Sequence, residues 1–123
     1  MNRYGKSVSM DVHGCNVGLF NRRDLRKFVK ALCVEIDMIP AQLHWWDYGA
    51  DEVEKAKAPP HLKGVSVVQF IETSTIVVHT LDDLEVVYLD LFSCGDFESS
   101  EVIKFTENYF QGKVVNTQTM ERK

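Results

Sequence analysis

Three spacings of apolar residues divide the chain. Through Val8, Met10 and Val12 apolar side chains alternate with small or polar ones, the period of a half-buried strand, and Gly14-Cys15-Asn16 supplies a turn behind it. From Asn21, a residue type that caps helices, the apolar positions Leu25, Phe28, Val29, Leu32, Cys33 and Ile36 step by three and four until Pro40 closes the segment. Such a stripe predicts a helix lying on a sheet. Gln42 to Tyr48 reads as a short aromatic-rich strand. Residues 49–63 are polar, carry Pro59-Pro60 and predict a loop, with Glu52 to Lys57 solvated or forming a short charged helix.

The centre of the chain changes character. Gly64 to Glu72, Thr75 to Thr80 and Leu84 to Phe92 are β-rich runs, the last two parted by an Asp82-Asp83 turn, and they read as adjacent antiparallel strands. Glu98 to Gln111 returns to helical spacing through Val102, Phe105 and Tyr109, with Ile103 and Phe110 on a neighbouring row and Gly112 as its stop. Lys113 to Thr117 is a last strand, followed by a frayed polar tail. The order βαβββαβ implies an α+β fold, a two-layer sandwich with the helices on one face of a mainly antiparallel sheet. No repeat or linker interrupts residues 1–123, which are expected to form one domain.

Composition narrows the function classes. With 123 residues the chain is too short for a barrel enzyme or a two-domain cofactor enzyme, yet at 45% hydrophobic residues it can fill one core. A formal net charge of −4 argues against nucleic acid as a partner, because polyanion binders usually carry a basic face. The basic residues Arg22, Arg23, Arg26, Lys27 and Lys30 fall at helical spacing and read as a solvated helix face. Cys15, Cys33 and Cys94 cannot all pair within one chain and show no zinc spacing, so they read as reduced thiols without a metal. The N-terminus lacks the apolar run of a signal peptide. No stretch approaches the ~18–20 apolar residues of a membrane span, so the expected location is cytoplasmic.

The strand pattern leaves a polar surplus. Ser66 follows Gly64-Val65, Ser74 follows Glu72-Thr73, His79 stands between Val78 and Thr80, and Cys94 lies in Asp90-Leu91-Phe92-Ser93-Cys94-Gly95. Strand ends are places where such side chains can converge from neighbouring strands. In type and spacing these residues resemble the small prokaryotic S-adenosylmethionine decarboxylases. The resemblance covers nearly all of the chain, because Gly5-Lys6 and Asp11-Val12-His13-Gly14-Cys15 are also similar to that family's first strand and turn.

The resemblance implies a self-made pyruvoyl cofactor. Decarboxylation leaves a carbanion for which side chains offer no electron sink, so pyridoxal phosphate or a pyruvoyl carbonyl must supply one. The chain has no glycine-rich phosphate cradle and no evident Schiff-base lysine. By the resemblance, Ser74 is the pyruvoyl precursor and the Schiff-base position. The chain would split after Thr73 into a β chain of residues 1–73 and an α chain of residues 74–123. His79 would be the processing base, a role suited to an imidazole near neutral pH. Ser66 would orient the ester or the oxyanion, and Cys94 would protonate the substrate carbon. Asp11 matches an acidic position near the family's active site, and the expected assembly is a homodimer with both protomers contributing to each site.

The chain departs from the family pattern at three places. Thr73 stands where Glu is usual before the cofactor serine. Leu81-Asp82-Asp83 replaces Trp-Pro-Glu, which leaves Asp83 in the place of a ribose-binding carboxylate. Pro60-His61 replaces an aromatic that stacks on adenine, while Trp45-Trp46 offers aromatic surface for a ring or for packing. The leading expectation is decarboxylation of S-adenosylmethionine to the aminopropyl donor of polyamine synthesis. Arginine or ornithine as substrate, with Glu72 or Asp82 meeting the cationic side chain, remains open. So does an unprocessed relative that regulates or binds.

Overall fold

The computed structural model describes residues 3–123. Its strands are β1 (Gly5–His13), β2 (Leu43–Trp46), β3 (Ser66–Ile71), β4 (Ser74–Leu81), β5 (Val86–Ser93) and β6 (Lys113–Arg122). Its α-helices are α1 (Arg22–Glu35), α2 (Glu52–Ala56) and α3 (Ser99–Phe110). The strands form one sheet in the order β2-β3-β4-β5-β1-β6, and all neighbours are antiparallel. The α+β sandwich is therefore as expected. The four strands between the two long helices correspond to the four runs named from the sequence, and the order βαβββαβ is one strand short of them.

Strand alternation gives the sheet two unlike faces. Val8, Met10 and Val12 of β1, Ile76 and Val78 of β4, and Val87, Leu89 and Leu91 of β5 are all buried, because α1 and α3 cover that side. Phe28 of α1 is fully buried against α3, its ring centroid 4.7 Å from Phe110 and 5.2 Å from Tyr109. Burying a phenylalanine of this kind contributes about 1.5–3 kcal/mol. The Tyr109 hydroxyl donates to the Asp24 carbonyl at 2.6 Å, which ties α3 to the first turn of α1. The opposite face carries Ser66, Val68, Val77, His79, Tyr88 and Asp11, all partly or wholly exposed.

Several boundaries have causes other than those expected. Asn21 caps α1 by accepting from the Asp24 amide, but the helix ends before Pro40 is reached, where Asp37 takes φ 57°. Gln111, at φ 58°, is the left-handed residue that closes α3. Gly112 is needed for a different reason: a Cβ there would stand 2.8 Å from the His13 carbonyl oxygen and 2.9 Å from Cys15 Sγ. Within residues 49–63, Asp51 caps α2 by accepting from the amides of Val53 and Glu54. The tail beyond Thr117 is not frayed but continues β6 to Arg122, paired with β1. Its side chains stay exposed, so it carries no apolar alternation.

Candidate active site

The β3–β4 hairpin places the surplus polar residues. Ile71 and Ser74 face each other across the two-residue turn Glu72-Thr73, and Glu72 adopts φ 55°, a left-handed conformation that favours glycine. A two-residue turn pairs positions equidistant from it, so Ser66 lies directly opposite His79. Their side chains meet on the uncovered face, with Ser66 Oγ 2.7 Å from His79 Nδ1. The row continues across the sheet to Tyr88 and Asp11. Asp11 accepts a hydrogen bond from Asn116 Nδ2 at 3.1 Å.

A cavity of about 220 Å³ opens beside this pair, lined by Trp46, His61, Leu62, Ser66, His79 and Tyr88 among others. Trp46 is largely exposed, with its ring centroid 4.9 Å from that of Tyr48. Trp45 instead lies beneath the guanidinium groups of Arg22 and Arg26, at 5.5 and 5.6 Å.

Ser74 begins β4 on the covered face and is fully buried. Its Oγ accepts from the Cys94 amide at 3.2 Å and lies 3.9 Å from Cys94 Sγ. Cys94 is exposed just beyond the end of β5. It borders a cavity of about 230 Å³ that also contains Asp37, Met38, Ile71, Glu72 and Thr73. The scissile position suggested for Thr73-Ser74 thus sits at the junction of a tight turn, a buried hydroxyl and an accessible thiol.

The four residues form two pairs within one chain. His79 is five positions along β4 from Ser74, so it lies on the opposite face and about 16 Å away at ~3.3 Å per residue. Ser66 accompanies His79, and Cys94 accompanies Ser74. Asp11 belongs to the His79 row, Glu72 to the Ser74 end.

Asp82 and Asp83 are already engaged. Lys55 Nζ lies 3.0 Å from Asp82 and 3.3 Å from Glu52, and Lys63 Nζ lies 2.9 Å from Asp83. Lys55 is buried, and although burial works against its charge, these carboxylates raise its pKa overall. The other two thiols, Cys15 and Cys33, are buried within the core and pushed up to about 11 chiefly by that burial. Their protonated state near neutral pH fits packing rather than chemistry.

Matches to known proteins cover this whole arrangement. The family model described as S-adenosylmethionine decarboxylase matches residues 6–123. The chain belongs to the S-adenosylmethionine decarboxylase family. It is 29% identical over 96 residues to an S-adenosylmethionine decarboxylase proenzyme of Acetivibrio thermocellus, an alignment covering 78% of this chain and 68% of that one. A proenzyme of the same description from Clostridium kluyveri is 27% identical over 96 residues, with the same shares covered. The crystal structure of the adenosylmethionine decarboxylase from Aquifex aeolicus superposes with a TM-score of 0.77 at 15% identity, over 99% of this chain and 92% of that chain. At that identity the likeness speaks for the decarboxylase fold alone. Among the described residues no helix is long and apolar enough to cross a membrane.

One contact at this site gave no signal in the sequence. Tyr4, just before β1, places its hydroxyl 3.1 Å from Thr73 Oγ1 across a separation of 69 residues. No local pattern joins positions so far apart.

Proposed function

We propose that the chain is a proenzyme that cleaves itself between Thr73 and Ser74 and then decarboxylates S-adenosylmethionine. The observation that carries this reading is the buried Ser74 hydroxyl, placed directly after a tight turn and beside the Cys94 thiol. Ser74 Oγ attacks the Thr73 carbonyl carbon, the C–N bond breaks and the Ser74 nitrogen takes a proton, leaving an ester in place of the amide. A base then removes the Ser74 α-proton, the Cβ–Oγ bond breaks, and Thr73 departs as a carboxylate. Water adds to the resulting residue 74 and ammonia leaves, which creates the pyruvoyl group on the chain 74–123. Residues 1–73 remain as the partner fragment. No metal and no pyridoxal phosphate is required.

The site suits such a group. Once present, it supplies the carbonyl that draws electrons from the substrate carbon as carbon dioxide leaves. Cys94 Sγ, close to the Ser74 side chain and open to the cavity, delivers the proton to that carbon. Ser66 and His79 form a hydroxyl–imidazole pair able to take and pass protons during processing. Because that pair lies far from Ser74 in the same chain, the working form in this reading is a homodimer in which the partner supplies Ser66 and His79.

A second reading keeps the chemistry and changes the substrate to arginine or ornithine. What favours it is the pairing of Asp83 with Lys63, which occupies the carboxylate expected at the ribose. The pairing of Asp82 with Lys55 removes one candidate for the cationic side chain and leaves Glu72, which shares the cavity at Cys94 with Asp37. Denaturing mass spectrometry tests the common step: the purified chain should yield fragments of residues 1–73 and 74–123, the latter with a blocked terminus, and Ser74→Ala should stay whole. A wild-type chain that remains intact on prolonged incubation removes both readings. Carbon dioxide release from each candidate substrate then separates them.

A further inference from the structure

Tyr4 makes more contacts than an exposed aromatic near the start of a strand needs. Half its surface is open, yet its ring stacks on Phe92 at 6.1 Å and 19°, and its amide donates to the Arg122 carbonyl at 2.6 Å. The Arg122 guanidinium lies over the Phe92 ring at 5.2 Å. The next residue brings the segment inward. A Cβ on Gly5 would meet the Ser93 carbonyl oxygen at 2.1 Å and Cys94 Cα at 2.7 Å, so only glycine lets β1 begin this close to the end of β5. These restraints aim the Tyr4 hydroxyl at one target, Thr73 Oγ1.

Thr73 carries the acyl carbon that Ser74 must attack. The residue before it holds a left-handed conformation without being glycine, and such a conformation persists where the surrounding structure holds it. A β-branched side chain has few χ1 states, and a hydrogen bond to its hydroxyl selects among them. Selecting that rotamer restrains the Thr73 backbone and with it the plane of the carbonyl that Ser74 Oγ is to attack. Such alignment matters, since near-attack geometry governs the rate of an intramolecular acyl shift.

We infer that Tyr4 is a positioning residue for self-cleavage, holding Thr73 so that its carbonyl meets the Ser74 hydroxyl. This rests on the proposed processing at Thr73-Ser74. Tyr4 does not itself touch the reacting atoms. It works through the threonine hydroxyl, and it ties the beginning of the chain, the turn and the end of β6 into one unit.

The test follows the rate at which full-length chain disappears on denaturing gels, with the fragment masses as a check. Tyr4→Phe keeps the ring stack and loses only the hydroxyl, while Thr73→Val removes the other end of the bond at nearly constant shape. Each is expected to slow cleavage by up to about tenfold, the loss of one neutral hydrogen bond in the rate-setting geometry. The double variant should be no slower than either single one, since both remove the same contact. Thr73→Ser, which returns a hydroxyl, should cleave faster than Thr73→Val. Melting temperatures of Tyr4→Phe and wild type should nearly coincide. Cleavage of Tyr4→Phe at the wild-type rate, or single effects that multiply in the double variant, overturns the role of Tyr4 and leaves the processing reading intact. A wild-type chain that never cleaves overturns both.

Discussion

At the scale of single residues, environment separates three thiols of the same sequence type. Cys15 and Cys33 are buried, and burial pushes both up to about 11, which leaves almost no thiolate near neutral pH. Cys94 is exposed and lies 3.9 Å from Ser74 Oγ. Alkylation of the folded protein with iodoacetamide should therefore modify Cys94 rapidly and the other two only on unfolding; peptide mapping would read the sites. Cys94→Ala should still yield the two fragments but decarboxylate about 10²–10⁴-fold more slowly, the usual contribution of one general acid. Equal turnover by the variant would remove Cys94 from the reaction. The residue types and spacings of Ser66, Ser74, His79 and Cys94 were legible in the sequence, and so, in principle, was their division. An odd separation along one strand puts Ser74 and His79 on opposite faces. The Tyr4–Thr73 contact was not legible, because it depends on where β1 begins beside β5.

Among elements, the segment between β2 and β3 shows how a polar stretch can be held without a large apolar face. Asp47 is nearly buried, and both its oxygens accept from Arg22 at 2.7 Å, joining the end of β2 to the start of α1. The hydrogen bonds from Arg22 hold the Asp47 carboxyl below its usual range against the effect of burial, and the Asn21 amide does the same for Asp24. Depressed carboxyl pKa values stabilise the fold fully above the unfolded value near ~3.9 and lose that contribution as pH falls through the lower folded values. Thermal melting should therefore weaken below about pH 4, and Asp47→Asn should melt lower than wild type near neutrality while showing a shallower decline in acid. Parallel acid limbs for the two proteins would mean that the pair contributes nothing. The long helices and central strands were legible because one face of each is apolar. The far half of β6 was not, since Gln118 to Arg122 continue the strand with exposed side chains and main-chain pairing to β1. Lys55, buried between Glu52 and Asp82, was hidden for the opposite reason: a lysine in a charged run reads as solvated until its partners are placed.

For the whole molecule, the distance between the Ser66–His79 pair and the Ser74–Cys94 pair decides what assembly the chemistry needs. Strands are stiff, and β4 holds both pairs within one sheet on opposite faces, so no side-chain rotation closes a gap of roughly 16 Å. A second copy related by a twofold axis can bring its Ser66 and His79 to the Ser74 end of the first, and symmetry then completes both sites at once. Among the described residues, the face bearing His79 carries Val68, Val77, Phe92 and Trp46, partly or largely exposed, which provides apolar surface for such a contact. Complementation follows from this arrangement. His79→Ala chains should cleave slowly alone, and Ser74→Ala chains not at all. Co-expressed with distinct tags, they should form mixed dimers in which, on the proposed reading, the intact Ser74 of one chain meets the intact His79 of the other. The His79→Ala chain should then be cleaved, and only that chain, with the fragments identified by tag and mass. If the mixture cleaves no faster than His79→Ala alone while wild type cleaves and the tagged chains are shown to co-purify, the partner does not supply His79. A site within one chain would then require β4 and its turn to rearrange before cleavage.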